Sequence, residues 1–307
     1  MTSNFPISRY TVKFQALENI QLPKYAGSTL RGAFGHALKS MACLTASRNK
    51  GTCRCEPAER CLYRQIFDPP KKQLDYQNRV QDIAPPFVIE AYALPEQIAK
   101  GAVATFHIVL IGNFAHQQQM MIQLAWQRAL AEGIGQNLSK GGEQSKLLAF
   151  NLCDQPRLNI TPLSSVRLDL FTHARLQYRG NFVDAEHFNP FHFIQALVRR
   201  YLSLIETYSD LKLSKEEIIQ IQNDIAQLTG HHQLEWVNWS RYSNRQKQKM
   251  NLDGLMGAVY LENISPRLFY YLYLGQWLHV GKGCVFGLGQ YVLQDIQTEK
   301  TSEKLSA

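Results

Sequence analysis

Two tandem ferredoxin-like domains of the α+β class, each a βαββαβ unit and the first carrying a cysteine-containing insert, are what this sequence predicts. Three observations predict them. Period-two alternation and helical apolar runs recur in the order strand, helix, strand, strand, helix, glycine cluster, strand, which is the split βαβ arrangement. That order occurs twice, on either side of a proline-bounded stretch at residues 156–162. A glycine cluster precedes the last strand of each half: Gly133, Gly135, Gly141 and Gly142 in the first, Gly281, Gly283, Gly287 and Gly289 in the second.

A chain of 307 residues has room for two domains of ordinary size, taken as residues 1–160 and 161–293, with a flexible tail at 294–307. Hydrophobic residues at 45% and aromatics at 11% are a globular composition, not a disordered one. No run of about 18 apolar residues is present, so no membrane partner is expected. Residues 1–9 lack the basic-then-apolar pattern of a signal peptide, and cytoplasm is the expected compartment. The formal charge is +8, and it is uneven. Residues 1–160 hold 18 Lys/Arg against 11 Asp/Glu, and the remainder 15 against 14. That excess favours an anionic partner such as nucleic acid, though many basic proteins bind none.

The elements follow in order. Residues 8–16 alternate as a half-buried strand should, and a loop with Pro23 and Tyr25 follows. Ser28 or Thr29 can cap a helix over 30–44, which contains Arg31, Gly32, Gly35, His36 and Lys39. Two glycines in one helix cost about 1 kcal/mol each, so close packing is expected there, against a ligand or a neighbouring backbone. Gly35, next to His36, is expected to leave room for such a ligand. The insert, residues 45–82, reads as a basic loop. Strands at 87–93 and 103–111, a helix at 115–132 with Trp126 in its core, and a strand at 145–154 complete the first half. The second half reads as a strand at 164–178, helices at 191–208 and 215–228, strands at 232–242 and 252–261, a helix at 266–278 and a last strand at 290–293.

Two segments look able to bind phosphate. In H-V-G-K-G-C-V-F-G-L-G-Q-Y-V (residues 279–292), Gly281, Gly283, Gly287 and Gly289 lie within nine residues and Lys282 adds charge. Free N–H groups in such a loop can cradle phosphate oxygens. The order helix–loop–strand excludes a dinucleotide fingerprint, and Gly281-Lys282-Gly283 is no Walker loop. A structural turn remains the plain alternative. Between two strands, R-Y-S-N-R-Q-K-Q-K (residues 241–249) sets Arg241, Arg245, Lys247 and Lys249 beside Tyr242. Such a hairpin can track phosphates and stack a base, or be a solvated turn.

Cys43, Cys53, Cys55 and Cys61 fall within nineteen residues. Four thiolates suffice for a structural zinc. The spacing lacks paired C-x2-C knuckles, so free thiols on a loop are the other reading.

These motifs together carry a family resemblance. Y-A-G-S-T-L-R-G-A-F-G-H-A-L-K, the cysteine insert ending C-L-Y-R-Q-I-F, W-V-N-W-S-R-Y-S-N-R-Q, G-L-M-G and the terminal G-K-G-C-V-F-G-L-G stand in one order along residues 8–293. The set resembles the CRISPR-associated precursor-RNA processing endoribonucleases of the repeat-associated, glycine-loop RNA-binding superfamily. The resemblance implies two ferredoxin-like domains and binding of CRISPR repeat RNA. It implies one cut per repeat, metal-independent, by attack of the ribose 2′-OH, leaving a 2′,3′-cyclic phosphate and a 5′-OH. No cofactor is then needed for catalysis. His36 stands where relatives commonly carry a catalytic histidine, with Tyr25 to orient or donate a proton, Lys39 for the phosphate charge and Arg31 in reserve. His173, His187, His192 and His279 are the fallback histidines. A non-catalytic subunit that binds crRNA beside other CRISPR effector subunits is the second reading. A zinc-stabilised nucleic-acid-binding module is the third.

Overall fold

Residues 7–16 bury every second side chain from Tyr10 to Ala16, and they form strand β1 (Ile7–Ala16). The computed structural model to which this strand belongs describes residues 5–46, 52–75, 79–135, 142–157, 159–243 and 248–296. Helix α1 (Gly27–Ala42) follows, then a short helix α2 (Leu62–Phe67), β2 (Phe87–Glu90), β3 (Val103–Ile111), α3 (Gln119–Glu132) and β4 (Ser145–Asp154). The sheet order is β2-β3-β1-β4 with all neighbours antiparallel, the ferredoxin-like topology. The second half repeats it with β5 (Ser165–Ala174), α4 (Pro190–Tyr208), α5 (Lys215–Gln227), β6 (Thr229–Val237), β7 (Gly254–Glu262), α6 (Pro266–Leu278) and β8 (Tyr291–Asp295). Its sheet order is β6-β7-β5-β8, again antiparallel throughout. The fold is α+β, two tandem ferredoxin-like domains.

The chain divides into two compact units. One is Met1–Pro156 with Ser203–Lys212 and Val285–Gly287, and the other is Arg157–Leu202 with Leu213–Cys284 and Leu288–Ala307. The first unit is built on aromatics. Phe34 of α1 stacks on Trp126 of α3 at 4.9 Å and meets Phe87 of β2 edge-on at 5.3 Å. Phe106 of β3 closes on the same indole at 4.8 Å. Trp126 is fully buried, as its place in a helical apolar run predicts, and such a side chain contributes several kcal/mol. In the second unit Phe193 of α4 packs edge-on against Tyr291 of β8 at 5.4 Å, and the Tyr291 hydroxyl donates to the Leu272 carbonyl.

Several boundaries differ from the sequence reading. α1 starts at Gly27, not at residue 30, and Ser28 and Thr29 lie in its first turn instead of capping it. The helix begins without a side-chain cap, and the Phe286 carbonyl lies where a Gly27 Cβ would be, so the first position has room only for glycine. The insert is not all loop. It holds α2 and a paired segment, Lys72–Leu74 with Arg79–Gln81. The helix expected over 115–132 breaks at Gln118 into Gly112–Gln117 and α3. The strand expected over 232–242 ends at Val237, and a separate strand, Ser240–Ser243, pairs with Gln248–Asn251. β8 continues to Asp295, into the expected tail.

Arg9 belongs to none of the sequence motifs, yet it organises the first sheet. Its guanidinium holds Glu90 through both carboxylate oxygens, at 2.7 and 2.9 Å, and Asp154 at 2.7 Å. That clip ties β1 to β2 and β4 through a carboxylate that is almost wholly buried.

Candidate nucleic-acid interface and cleavage site

Helical spacing gives α1 two polar stripes. Gly32, His36 and Ser40, four apart, are all exposed. Arg31, Gly35 and Lys39 lie beside them and face α2. Arg31 sits over the Phe67 ring at 4.3 Å, Lys39 Nζ over the Tyr63 ring at 4.9 Å, and the two rings stack on each other at 5.4 Å. Lys39 is thus held on an aromatic face one turn from His36.

His36 is 78% exposed and its Nδ1 stands 3.5 Å from a carboxylate oxygen of Glu132, at the end of α3. The other Glu132 oxygen accepts from Arg128 at 2.6 Å. A carboxylate facing Nδ1 favours the tautomer with its proton there, which leaves Nε2 as the basic nitrogen. Sequence reasoning misses Glu132, although a signal exists. An acidic side chain in the last turn of a helix opposes the macrodipole, so such a residue needs cationic partners.

The two helix glycines have opposite environments. Gly35 leaves no room for RNA, contrary to expectation, because the Phe67 ring occupies the space its Cβ would take. Gly32 has nothing within 4 Å of its Cβ position. The open floor beside His36 is therefore at Gly32. Tyr25 lies before α1, outside the helix, whereas His36 is the tenth residue of it. The structure does not bring these two side chains together on one turn.

In the second unit, Lys282 is exposed. The loop glycines serve packing first. At Gly287 and Gly289, φ is +93° and +70°, and the backbone carbonyls of Ile89 and Val280 lie where Cβ atoms would be. Gly281 and Gly283 also take positive φ. The loop N–H groups are not all free for phosphate: Lys282 donates to the Arg175 carbonyl at 2.9 Å and Gly289 to the His173 carbonyl at 3.0 Å. Arg175 also donates to the carbonyls of Asn251 and Asp253 at 3.0 and 3.1 Å. One arginine thereby links the glycine loop to the base of the 240–251 hairpin. Hydrogen bonds between residues so far apart in the chain leave no local signature, and sequence reasoning passes Arg175 over. In the hairpin, Arg241 pairs with Met250 and Tyr242 with Lys249 through the backbone, whereas Arg245 and Lys247 lie outside the described residues.

The fallback histidines are placed otherwise. His173 and His279 are fully buried, His279 with Nδ1 3.2 Å from the Leu288 carbonyl. His187 is exposed and pairs with Asp184 at 2.8 Å, a partner that raises its pKa through the hydrogen bond first and the charge second. His192 lies tilted against the Tyr178 ring, and partial burial lowers its pKa. A cavity of about 570 Å³ lined by Lys71, Lys72, Asn113 and Tyr208 includes none of the predicted site residues.

The four cysteines do converge. Their sulfurs all lie within 4.8 Å of one another, with Cys43 and Cys55 at 3.7 Å and Cys53 and Cys61 at 3.8 Å. Thr45 Oγ1 is 3.3 Å from the Cys55 sulfur and accepts from the Arg54 N–H at 2.8 Å. The thiols are unlike. Burial pushes Cys61 up to about 12, whereas the Thr45 hydroxyl draws Cys55 down to about 6.

Comparison with known proteins bears on the family and the fold. A family model described as an N-terminal domain matches residues 5–156, and the model of the CRISPR-associated endoribonuclease Cas6 matches residues 164–291. No curated protein matches the sequence directly. Among solved structures, a Cas6 product complex aligns with TM-score 0.56 and 12% identity over 94% of this chain and 100% of that one. Thermus thermophilus Cas6 aligns with TM-score 0.54 and 10% identity over 95% and 100%. A partial Cas6-RT-Cas1–Cas2 complex aligns with TM-score 0.56 and 14% identity over 96% of this chain and 47% of that one. At such identities these structures speak for the fold, and the family model speaks for the activity. With the duplicated fold and the glycine loop in place, residues 164–291 match the family of the CRISPR-associated endoribonuclease Cas6, and the chain as a whole shares the fold of solved Cas6 structures.

Proposed function

We propose that this endoribonuclease cuts precursor CRISPR RNA within each repeat, in the cytoplasm, by an internal transesterification that needs no metal. His36 carries the reading: an exposed imidazole, one nitrogen facing Glu132, beside the open floor at Gly32 and one turn from Lys39. In the reaction the 2′-oxygen bonds to phosphorus as the bond to the 5′-oxygen breaks. His36 Nε2 takes the 2′-OH proton, and the 5′-oxygen leaves with a proton supplied by the Tyr25 hydroxyl. Acid and base must stand on opposite sides of the phosphate in such an in-line step. The Lys39 ammonium, with Arg31 behind it, stabilises charge on the non-bridging oxygens. The products are a 2′,3′-cyclic phosphate and a 5′-OH end. Lys282, the loop of Gly281, Gly283, Gly287 and Gly289, and the cations Arg241, Arg245, Lys247 and Lys249 bind the repeat backbone. The cut RNA then passes to CRISPR effector subunits.

The test is cleavage of a repeat RNA in EDTA, alongside the same RNA with a single 2′-deoxy at the cut site and a His36→Ala protein. Cutting of the unmodified RNA alone, at a rate reduced about 10²-fold or more in His36→Ala with binding retained, is expected. Cutting of the 2′-deoxy RNA would sink the mechanism, and full activity without His36 would sink its site.

A further inference from the structure

We infer that Cys43, Cys53, Cys55 and Cys61 hold one tetrahedral Zn²⁺ that clasps α2 against the cation-bearing face of α1. Zinc–thiolate bonds of about 2.3 Å in a tetrahedron put sulfurs about 3.8 Å apart. The two shortest sulfur separations here are 3.7 and 3.8 Å, and all four atoms fall within 4.8 Å. Sulfurs that close leave room for one ion and not for a cluster of several irons with bridging sulfides. The remaining surroundings suit a thiolate set. Thr45 presents its hydroxyl to the Cys55 sulfur, the kind of outer hydrogen bond that fixes a ligand, and Arg54 and Arg60 adjoin the ligands in sequence to offset the surplus negative charge.

The position gives the ion its task. Cys43 is the residue that ends α1, where its N–H donates to the Lys39 carbonyl, and Cys61 is the residue that begins α2. A six-residue helix has no stability of its own in water. α2 is held by Tyr63, Ile66 and Phe67, which are buried against the first unit. One ion bound to both helix ends would fix the register in which Tyr63 meets Lys39 and Phe67 meets Arg31. The consequence for cutting rests on the catalytic roles proposed for those cations, but the metal site itself does not.

The full-length chain, purified without chelator under reducing conditions, should contain one zinc per chain by mass spectrometry. Refolded with Co²⁺ in place of zinc, it should show the sulfur-to-cobalt charge-transfer band of a tetrahedral thiolate site. Cys55→Ser, at a partly exposed position, should fold, lose the metal and the band, and melt roughly 5–10 °C lower. Its cleavage rate should fall with affinity for the uncleavable 2′-deoxy repeat RNA unchanged. A protein that takes up no metal when Zn²⁺ is added and leaves all four of these cysteines open to thiol modification would overturn the site, as would disulfides between them. A Cys55→Ser protein without metal that cuts at the full rate would overturn the clasp on Lys39 and Arg31. None of these metal readouts depends on RNA cleavage, so failure of the proposed reaction is seen separately.

Discussion

At the scale of residues, the proposed site is a set of modest interactions around one exposed imidazole. The His36–Glu132 pair lies in water, and exposed pairs contribute at most about 1 kcal/mol. Glu132→Ala should therefore slow cutting only about two- to fivefold with RNA affinity unchanged, measured under single-turnover conditions. A loss as large as that of His36→Ala would mean that Glu132 takes part in the proton transfer itself. His36 enters through the family resemblance of the segment around it, which lies within one window of sequence. Glu132, on another helix, and Arg175, which serves the loop and the hairpin together, are not legible in that way. Their partners are set by the sheet order, and no window of sequence contains both ends of either interaction.

At the scale of elements, the two glycines of α1 differ, Gly35 being packed against Phe67 and Gly32 open. Gly32→Ala should raise stability by about 0.5–1 kcal/mol, because alanine is the better helix former and its methyl meets nothing. Gly32→Leu should leave the fold intact and weaken repeat-RNA binding if the floor beside His36 receives the substrate. Equal affinity for Gly32→Leu and the parent would place the RNA elsewhere. Gly35→Ala should instead destabilise by about 1–3 kcal/mol in a denaturant titration, since its methyl must displace the Phe67 ring. The long alternating strands and the helix centred on Trp126 can be read from periodicity, because each exposes one face to a core. α2 cannot be read so. Six residues do not complete two turns, and what makes them helical is the burial of Tyr63, Ile66 and Phe67 against the first unit.

At the scale of the whole molecule, the charge of +8 matters through the salt dependence of binding. Removing one phosphate-binding cation should flatten the slope of log affinity against log salt by about 0.7–0.9. Lys282→Ala and Lys249→Ala are expected to do this singly and additively for repeat RNA, with little change in the cleavage rate at saturation. Slopes that stay parallel to the parent's would remove these lysines from the backbone-binding surface.

The sequence by itself determined the duplicated βαββαβ order, the Trp126 core, the gathering of four cysteines and the histidine on the first helix. Periodicity, composition and spacing are local, and the hydrophobic effect acts on them wherever the chain folds. Only the tertiary structure decided which glycine is open, which carboxylate faces His36, where the loop N–H groups are spent and that four sulfurs lie within 4.8 Å of one another. Those are meetings of segments separated along the chain, and their geometry exists only once the sheets have set the elements side by side.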